Sequence, residues 1–318
     1  MKSDSNSAEP TVDAVLRQQV AQRSTLVSVA VNIVLTMGQV VAGWLSGSQG
    51  LIADGIHSLS DLFADFVVLI ANRHSQKAAD VDHPYGHQRF ENAASLFLGA
   101  MLIAVGVGML WAGAHKLMTP SAIGQVHRLA LWVALFALLA KESLFRYMLA
   151  AANRVKSSLL VANAWHARSD AASSLVVALG IVGNLAGYHL LDPLASMVVG
   201  LMVGKMGWSF AWNAMNDLMD RAPSEEEIEQ VRSCLLGTPG VLGIHELRTR
   251  KMGDMIMVDV HIEIDGSLNV REGHDIAVNA RDRVLSSLPV INVLTHIDPA
   301  ELYQEKLRER ALRQAQSL

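Results

Sequence analysis

The chain has 318 residues, of which 51% are hydrophobic and 18% are charged, and its formal net charge is −4. Because soluble domains usually carry about a quarter of charged residues, this composition favours a membrane protein. The small negative charge, without a basic cluster, argues against nucleic-acid binding. The single cysteine, Cys234, excludes an intramolecular disulfide and argues against a thiolate-rich metal site.

The first 23 residues are polar and lack the basic-then-apolar pattern of a cleaved signal peptide. We expect an N-terminal tail with a short helix near Val12–Gln22. Six apolar stretches follow, each long enough for a helix to cross a bilayer. They cover residues 24–45, 51–72, 91–114, 129–150, 160–186 and 189–213. The sequence therefore predicts an all-α, six-helix transmembrane domain over residues 24–213.

Basic residues concentrate on one side of these predicted spans. They lie before the first span and around the loops after the second and fourth: Arg17, Arg23, Arg73, Lys77, Arg89, Arg146, Arg154 and Lys156. The opposite loops carry only Lys116 and Arg128. Because cytoplasmic loops are enriched in Lys and Arg, both termini are predicted to be cytoplasmic. We expect the protein to lie in lipid as a multi-pass protein of the plasma (inner) membrane.

A polar stripe runs along the second span, where Asp54, His57, Asp61 and Asp65 follow at intervals that place them on one helix face. A carboxylate in hydrocarbon costs several kcal/mol unless it is paired, wetted or bound to a cation. A water-lined face with hydrogen-bonded acids is the alternative interpretation. The fourth span adds adjacent charges at residues 141 and 142, which must face a partner or water.

The His-x-x-x-Asp spacing of His57 and Asp61 recurs in the fifth span at His166 and Asp170. Two imidazole nitrogens and two carboxylate oxygens form a tetrahedral set suited to zinc or a similar divalent ion. The repeated pair therefore predicts a metal site within the membrane. The spacing alone does not decide whether Asp54 or Asp65 joins it.

A second group of ligand-type residues lies in the loop between the second and third spans. Asp80, His83 and His87 fall within eight residues, and Pro84 and Gly86 favour a turn that would bring the histidines together. We predict a second metal site in this loop. An ordinary polar loop, whose histidines cap helix ends, is the alternative.

The character of the sequence changes after Asp220. Residues 214–222 form a predicted linker, residues 223–300 a small soluble domain, and residues 301–318 a charged, helical tail. Ser224 begins a helix that ends near Gly237, and apolar alternation predicts the strands. The remaining predicted elements are strands Val241–Arg250 and Met255–Asp265, a helix Val270–Leu288 and a last strand Ile291–Ile297. The order αββαβ predicts an α+β domain with helices on one face of a sheet.

This soluble domain contains a third set of candidate ligands at the edges of its elements. The set consists of His245, His261, His274, His296 and Asp298. From the sequence alone, a metal site and solvated surface histidines are equally good interpretations.

Several motifs together resemble the cation diffusion facilitator family of divalent-metal/proton antiporters along nearly the whole chain. They are Leu51–Asp61, Asp80–His87 with Arg89 and Glu91, Ala164–Asp170, His245–Arg250, His261–Glu263 and His296–Asp298. The resemblance implies six spans plus a cytoplasmic, ferredoxin-like domain. It also implies a homodimer that this domain helps to hold.

The resemblance assigns roles to the candidate residues. It makes His57, Asp61, His166 and Asp170 the transport site, and Asp80, His83 and His87 a loop site. His245, His261, His274, His296 and Asp298 would form one site, or two paired sites, in the soluble domain. Arg89 and Asp220 match positions that form an interlocking ion pair. Bacterial relatives often have Asp at position 57, and the His-Asp version is associated with zinc over cadmium. At position 297 this chain has Ile where some relatives have a polar residue, which bears on the choice between one site and two paired sites in the soluble domain.

From these observations we predict that the protein exports Zn²⁺ from the cytoplasm in exchange for protons, with zinc also acting as a structural or regulatory ion. Fe²⁺, Co²⁺, Cd²⁺ and Mn²⁺ can occupy similar ligand sets. A non-transporting membrane metal sensor or scaffold is the main alternative. An intramembrane metalloenzyme is a weaker one, because the sequence has no HExxH motif and Glu142 is the only intramembrane glutamate that could act as a base.

Overall fold

The computed structural model describes residues 12–119, 125–154 and 158–300. Six long helices come first in the chain: α1 (Val12–Ser46), α2 (Gln49–Ser75), α3 (Arg89–Met118), α4 (Leu129–Arg154), α5 (Ser158–Leu185) and α6 (Leu191–Leu218). The predicted short helix near Val12–Gln22 and the first predicted span are one continuous helix, because no proline or glycine separates them. The helix predicted for residues 301–318 lies outside the described residues.

Three of the described helical segments are long and apolar enough to cross a membrane by length and composition alone: Leu26–Ser46, Arg89–Met118 and Leu191–Leu218. The other three helices, α2, α4 and α5, have similar lengths and carry ionisable side chains in their middle parts. Their ionisable residues include Asp54, Asp61, Asp65, Lys141, Glu142, Arg146, Arg168 and Asp170. Charged side chains in a membrane usually face the protein interior, and Asp54 and Lys141 do so, with exposed fractions of 1% and 3%.

The chain divides into two compact units. The first comprises the residues up to Val67 together with Leu98–Ser209, and the second comprises Val68–Phe97 together with the residues from Phe210 onward. In the first unit, α4 packs against α1 and α5. The centre of this unit is an apolar cluster whose fully buried members include Leu51, Leu102, Val177, Ile181 and Val199.

Small residues allow α3 and α6 to approach closely within the first unit. A Cβ atom added at Gly106 would lie 2.7 Å from the Gly200 carbonyl oxygen, and one at Gly207 would lie 2.7 Å from the Ile103 nitrogen. Side chains at these positions would therefore separate the two backbones. Such small-residue contacts are a common way to pack helices in a membrane, where the hydrophobic effect does not drive association.

A buried carboxylate at the start of α6 satisfies the first turn of α2. Asp192 accepts hydrogen bonds from the Ser48 hydroxyl at 2.5 Å and from the backbone nitrogens of Gln49 at 2.8 Å and Gly50 at 3.3 Å. A negative charge is favourable at a helix N-terminus, where backbone N–H groups lack partners. The contact fixes the start of the helix that carries the polar stripe.

The second unit contains a small domain built from α7 (Glu225–Leu236), β1 (Gly243–Met252), β2 (Met255–Ile264), α8 (Val270–Ser287) and β3 (Val290–Pro299). The strand order is β1-β2-β3, with β1 antiparallel and β3 parallel to β2. The predicted αββαβ architecture is confirmed. As predicted, Ser224 caps α7, and Glu227 completes a reciprocal capping box.

The two faces of this sheet differ in character because side chains alternate along each strand. Ile256, Val258, Val260 and Ile262 of β2 enter an apolar core with residues of α7 and α8. The intervening residues, among them His261 and Glu263, lie on the opposite face. The helices therefore cover one face of the sheet, and the polar residues occupy the other.

Candidate metal sites

The first group of candidate ligands lies between α2 and α5 in the first unit. His57, Asp61 and Asp170 each offer a ligand atom, and these atoms lie within 4.8 Å of one another. The His57 Nδ1 atom is 3.3 Å from the Asp61 Oδ2 atom, and His57 is only 6% exposed. In a tetrahedral zinc site, bond lengths of about 2.0–2.1 Å place neighbouring ligand atoms about 3.3 Å apart. The His57–Asp61 distance thus matches that of a zinc site, and Asp170 lies within 4.8 Å of both residues.

The other residues predicted for this region differ in position. The side chain of His166 lies outside the described residues, although its backbone continues α5 one turn before Asp170. Asp65 is exposed one turn beyond Asp61. Asp54 is buried, and its carboxylate is paired with Lys141 of α4. Neither Asp54 nor Asp65 belongs to the ligand group found among the described side chains.

The second group lies in the loop between α2 and α3, within the second unit. Ligand atoms of Asp80, His83 and His87 lie within 4.8 Å of one another. Asp80 Oδ1 lies 3.4 Å from His83 Nδ1, and Asp80 Oδ2 lies 3.3 Å from His87 Nε2. The turn between the histidines depends on Gly86, whose φ angle of +88° is accessible to glycine without a steric penalty. The structure therefore brings together the three residues predicted for this site.

Hydrogen bonds orient the ligands of the loop before any metal binds. His87 Nδ1 lies 3.1 Å from the Ala78 carbonyl oxygen, an arrangement that leaves Nε2 available for a metal. The pKa of Asp80 is below its ordinary value, chiefly because the backbone N–H of His83 donates to the carboxylate. The Asp80 carboxylate is therefore ionised at neutral pH, as metal binding requires.

The third group lies on the polar face of the sheet. The strand register places His245, His261 and His296 side by side on β1, β2 and β3. His245, His261 and Asp298 offer ligand atoms within 4.8 Å of one another. Asp298 Oδ2 is 2.8 Å from His261 Nδ1 and 3.3 Å from His245 Nε2. We call these three residues together with His296 the histidine row.

Two carboxylates organise the histidine row. Partial burial acts to raise the pKa of Asp298, but the hydrogen bond from His261 and the nearby imidazoles outweigh it, so the pKa lies below its ordinary value. Glu263 lies 3.0 Å from His245 Nδ1 and thereby orients the ring with Nε2 toward Asp298. Sequence reasoning missed Glu263 as a site residue. Its position two residues after His261, on the same strand face, was the available signal.

One predicted member of the third site does not join it within a single chain. His274 lies exposed on α8, on the helix side of the sheet, whereas the histidine row occupies the opposite face. Within one chain His274 therefore stands apart from the histidine row, and its place in one site or in paired sites stays a prediction. His296 lies at the margin of the row, with Nε2 3.5 Å from Asp298 Oδ1 and its ring centroid 4.5 Å from that of His261.

The structure also pairs Arg89 with Asp220 in the second unit. Arg89 donates to the Asp220 carboxylate through Nη2 and to the Leu218 carbonyl through Nη1 at 3.4 Å. Asp220 adopts a φ angle of 62°, rare for a residue other than glycine, where the chain leaves α6. Nearby, the Asn92 amide contacts Asp217 at 3.2 Å and accepts from the Gly253 backbone at 3.1 Å. These contacts tie the start of α3 to the end of α6 and the β1–β2 turn.

Comparison with known proteins agrees with these observations. Residues 25–219 match the family model described as the cation efflux transmembrane domain, and residues 223–300 match that of the cation efflux protein cytoplasmic domain. The chain belongs to this family, the cation diffusion facilitators, which are multi-pass membrane transporters of divalent metal cations and not enzymes. The predicted six-helix membrane domain with a small α+β domain is confirmed.

Similar proteins come from plants and bacteria. Metal tolerance protein C1 of Arabidopsis thaliana is 35% identical over 85% of this chain, which spans 61% of that protein's length. The manganese efflux system protein MneP of Bacillus subtilis is 30% identical over 89% of this chain and 97% of its own length. The metal-bound C-terminal domain of the CzcD transporter from Thermotoga maritima is 26% identical, covering 24% of this chain and 90% of that domain, with a TM-score of 0.23.

Proposed function

We propose that this protein exports Zn²⁺ from the cytoplasm in exchange for protons, through a site formed by His57, Asp61, His166 and Asp170. The convergence of His57, Asp61 and Asp170 between α2 and α5 carries this proposal. His166 is assigned as the fourth ligand because it precedes Asp170 by one helical turn, as His57 precedes Asp61. Four ligands would complete a tetrahedron around the ion.

Exchange follows from the charge of this site. Two ionised carboxylates and two neutral imidazoles give the empty site two negative charges, which are unfavourable among apolar helices. A divalent cation cancels these charges, and protons on the same side chains reduce them. Because zinc binds neutral imidazole and ionised carboxylate, metal and protons compete for one site. Alternating exposure of the site to the two sides of the membrane then couples their movements in opposite directions.

Zinc is the proposed ion because imidazole ligands suit it well, whereas manganese favours carboxylate, carbonyl and water oxygens. Manganese is the second candidate, since a relative of this chain is a manganese efflux system protein. A site built only from carboxylates would favour manganese. The buried imidazole of His57 beside Asp61 supports zinc.

The cluster in the loop and the histidine row are proposed to bind the same metal on the cytoplasmic side. Metal at the histidine row would stabilise the C-terminal domain in a homodimer and so link the cytoplasmic metal concentration to transport. The basic residue Arg73 in the last turn of α2, and Lys77 after it, support cytoplasmic termini in the plasma membrane. A non-transporting sensor would need the histidine row but not an intramembrane ligand set.

Metal flux in proteoliposomes tests this proposal. The purified protein is reconstituted, a pH gradient is imposed, and entry of Zn²⁺ and of Mn²⁺ is measured separately. We expect Zn²⁺ uptake that increases with the gradient and disappears when an ionophore collapses it. Uptake of Mn²⁺ in preference to Zn²⁺ would contradict the assigned ion. Zinc binding without flux would contradict transport and favour the sensor.

A further inference from the structure

A buried polar network lies one helical turn from the ligands of the transport site. Asp54 of α2 is 1% exposed and Lys141 of α4 is 3% exposed, and the Lys141 Nζ atom is 3.3 Å from the Asp54 Oδ1 atom. Removing two charges from water is costly unless each is paired and fully hydrogen-bonded. In the centre of a helical membrane domain, both charges of the network therefore need a counter-charge and hydrogen-bond partners.

The three N–H groups of the ammonium and both oxygens of the carboxylate have hydrogen-bond partners. The Lys141 ammonium donates to Asp54, to the Ser58 hydroxyl at 3.1 Å and to the Ser174 hydroxyl at 2.8 Å. These three acceptors match its three N–H groups. The Asp54 carboxylate also accepts from the Ser174 hydroxyl at 2.6 Å and from the Gln39 side-chain amide, and the Ser173 hydroxyl oxygen lies 3.0 Å from Asp54 Oδ1. Both oxygens of the carboxylate are therefore engaged within the network.

The network joins the two helices that carry the candidate ligands. Asp54 and Ser58 flank His57 on α2, whereas Ser173 and Ser174 follow Asp170 by three and four residues on α5. The Ser173 hydroxyl also lies 2.7 Å from the Asp170 carbonyl oxygen. Lys141 connects these segments from α4, and Gln39 adds α1. A change in the network would thus alter the spacing between the α2 ligands and the α5 ligands.

Lys141 also sets the charge near the transport site. Without its ammonium, Asp54 would add a third buried negative charge beside those of Asp61 and Asp170, and a second cation would be favoured there. With the ammonium in place, the Asp54–Lys141 pair is neutral, and the two ligand carboxylates match one divalent cation. The side chain of Lys141 occupies the position that an additional cation would otherwise take.

We propose that Asp54 and Lys141 are positioning residues of the transport site, whose ion pair holds α2 against α5 and keeps the ligand set at two negative charges. This inference rests on the proposed function, since it concerns how metal binds at that site. Neither residue touches the transported ion. They act by fixing the distance between His57 and Asp170 and by excluding a second cation.

The test compares Lys141→Met, Asp54→Asn and the double variant that carries both substitutions. For each full-length protein, Zn²⁺ flux in proteoliposomes gives KM and the maximal rate, and thermal unfolding in detergent reports stability. We expect each single variant to raise KM by about 10- to 100-fold, the range found when side chains that orient metal ligands are removed. In Asp54→Asn the unpaired ammonium repels the ion, and in Lys141→Met the unpaired Asp54 carboxylate draws Zn²⁺ away from the four ligands. The double variant restores the charge balance but not the contact between α2 and α5, so its KM should lie between that of the single variants and that of wild type.

Glu142→Gln is the matched control, because Glu142 is the neighbouring charge on α4 and pairs with Arg146 away from the network, at 2.9 Å. Its KM should equal that of wild type. Ser174→Ala is a milder change that tests the same contacts if Lys141→Met does not fold. We expect it to raise KM severalfold, because it removes a donor to Asp54 and an acceptor of Lys141.

The outcomes separate positioning from stability alone. A purely structural role would lower the maximal rate through loss of folded protein but leave KM unchanged, and that result would overturn the proposal. Absence of flux in wild type would instead refute the proposed function. In that event the proposal is tested by the Kd of Zn²⁺ in detergent, in a background in which both cytoplasmic clusters carry alanine. A weaker Kd in Lys141→Met supports positioning, and an unchanged Kd rejects it.

Discussion

The site between α2 and α5 and the histidine row both combine imidazoles with carboxylates, but their surroundings differ. His57 is buried between helices, whereas the histidines of the row are half-buried or exposed on a sheet face. In the row, hydrogen bonds between imidazoles and carboxylates satisfy the ligands when no metal is bound. The same residue types thus suit two tasks, transport within the membrane and metal binding at the sheet surface. An empty site is unfavourable in the membrane, whereas it is tolerable at the sheet surface.

The largest effect is expected from Asp170→Asn, which removes one of the two charges that attract the ion in the apolar region. We expect Zn²⁺ transport at limiting metal concentration to fall by more than about 100-fold, because loss of a direct ligand should exceed the effect of losing a residue that orients one. Asp65→Asn is the control, since Asp65 is exposed on α2 and outside the ligand group. Equal losses in the two variants would contradict the assignment of the site.

A smaller effect is expected at the sheet surface. In wild type, Zn²⁺ at 100 times its Kd should stabilise the C-terminal domain by about 2.7 kcal/mol. The double substitution His245→Ala and His261→Ala should abolish this stabilisation, as measured by hydrogen exchange of β2 in the full-length protein with and without metal. His274→Ala should leave it intact, because His274 lies on the opposite side of the sheet. Loss of the effect in that control would show that a second copy supplies His274.

The loop site should depend on one backbone conformation. A Cβ atom at Gly86, with φ at +88°, would lie 2.5 Å from the Gln88 side-chain oxygen. We expect Gly86→Ala to lower the free energy of unfolding by about 1 kcal/mol or more and to weaken metal binding at Asp80, His83 and His87. Thermal unfolding in detergent with and without Zn²⁺ measures both. Gly47→Ala is the control, because Gly47 has a φ of +72° but open space around it. This variant therefore measures the cost of backbone strain without a steric clash.

The smallest effect concerns the helix cap at Ser224. Ser224→Ala should destabilise α7 by about 1 kcal/mol, which hydrogen exchange of residues 225–236 detects. The hydrogen bonds from the Ser224 side chain and backbone hold the pKa of Glu227 below its ordinary value. Because this pKa is lowered on folding, the stabilisation is present above the unfolded pKa and is lost as the pH falls through the folded value. The difference between variant and wild type should therefore shrink in acid. A constant difference would contradict the role of ionised Glu227.

The sequence predicted the candidate ligands where their arrangement is local. His57 with Asp61, and Asp80 with His83 and His87, lie within one helical turn or one loop, so spacing alone brings them together. The role of Asp54 was not predictable, because its partners Lys141 and Ser174 come from other helices. The separation of His274 from the histidine row within one chain was not predictable for a related reason. The sequence shows that His274 lies in a helix but does not show which face of the sheet that helix covers.

The measurement that tests the central claim most directly compares two variants under one imposed pH gradient. Proteoliposomes with Asp170→Ala and proteoliposomes with His245→Ala and His261→Ala are assayed beside wild type for Zn²⁺ uptake at saturating metal. We predict no gradient-driven uptake in the first variant and substantial uptake in the second. Uptake that survives Asp170→Ala, or that is lost only with the histidine row, would contradict transport through the site between α2 and α5.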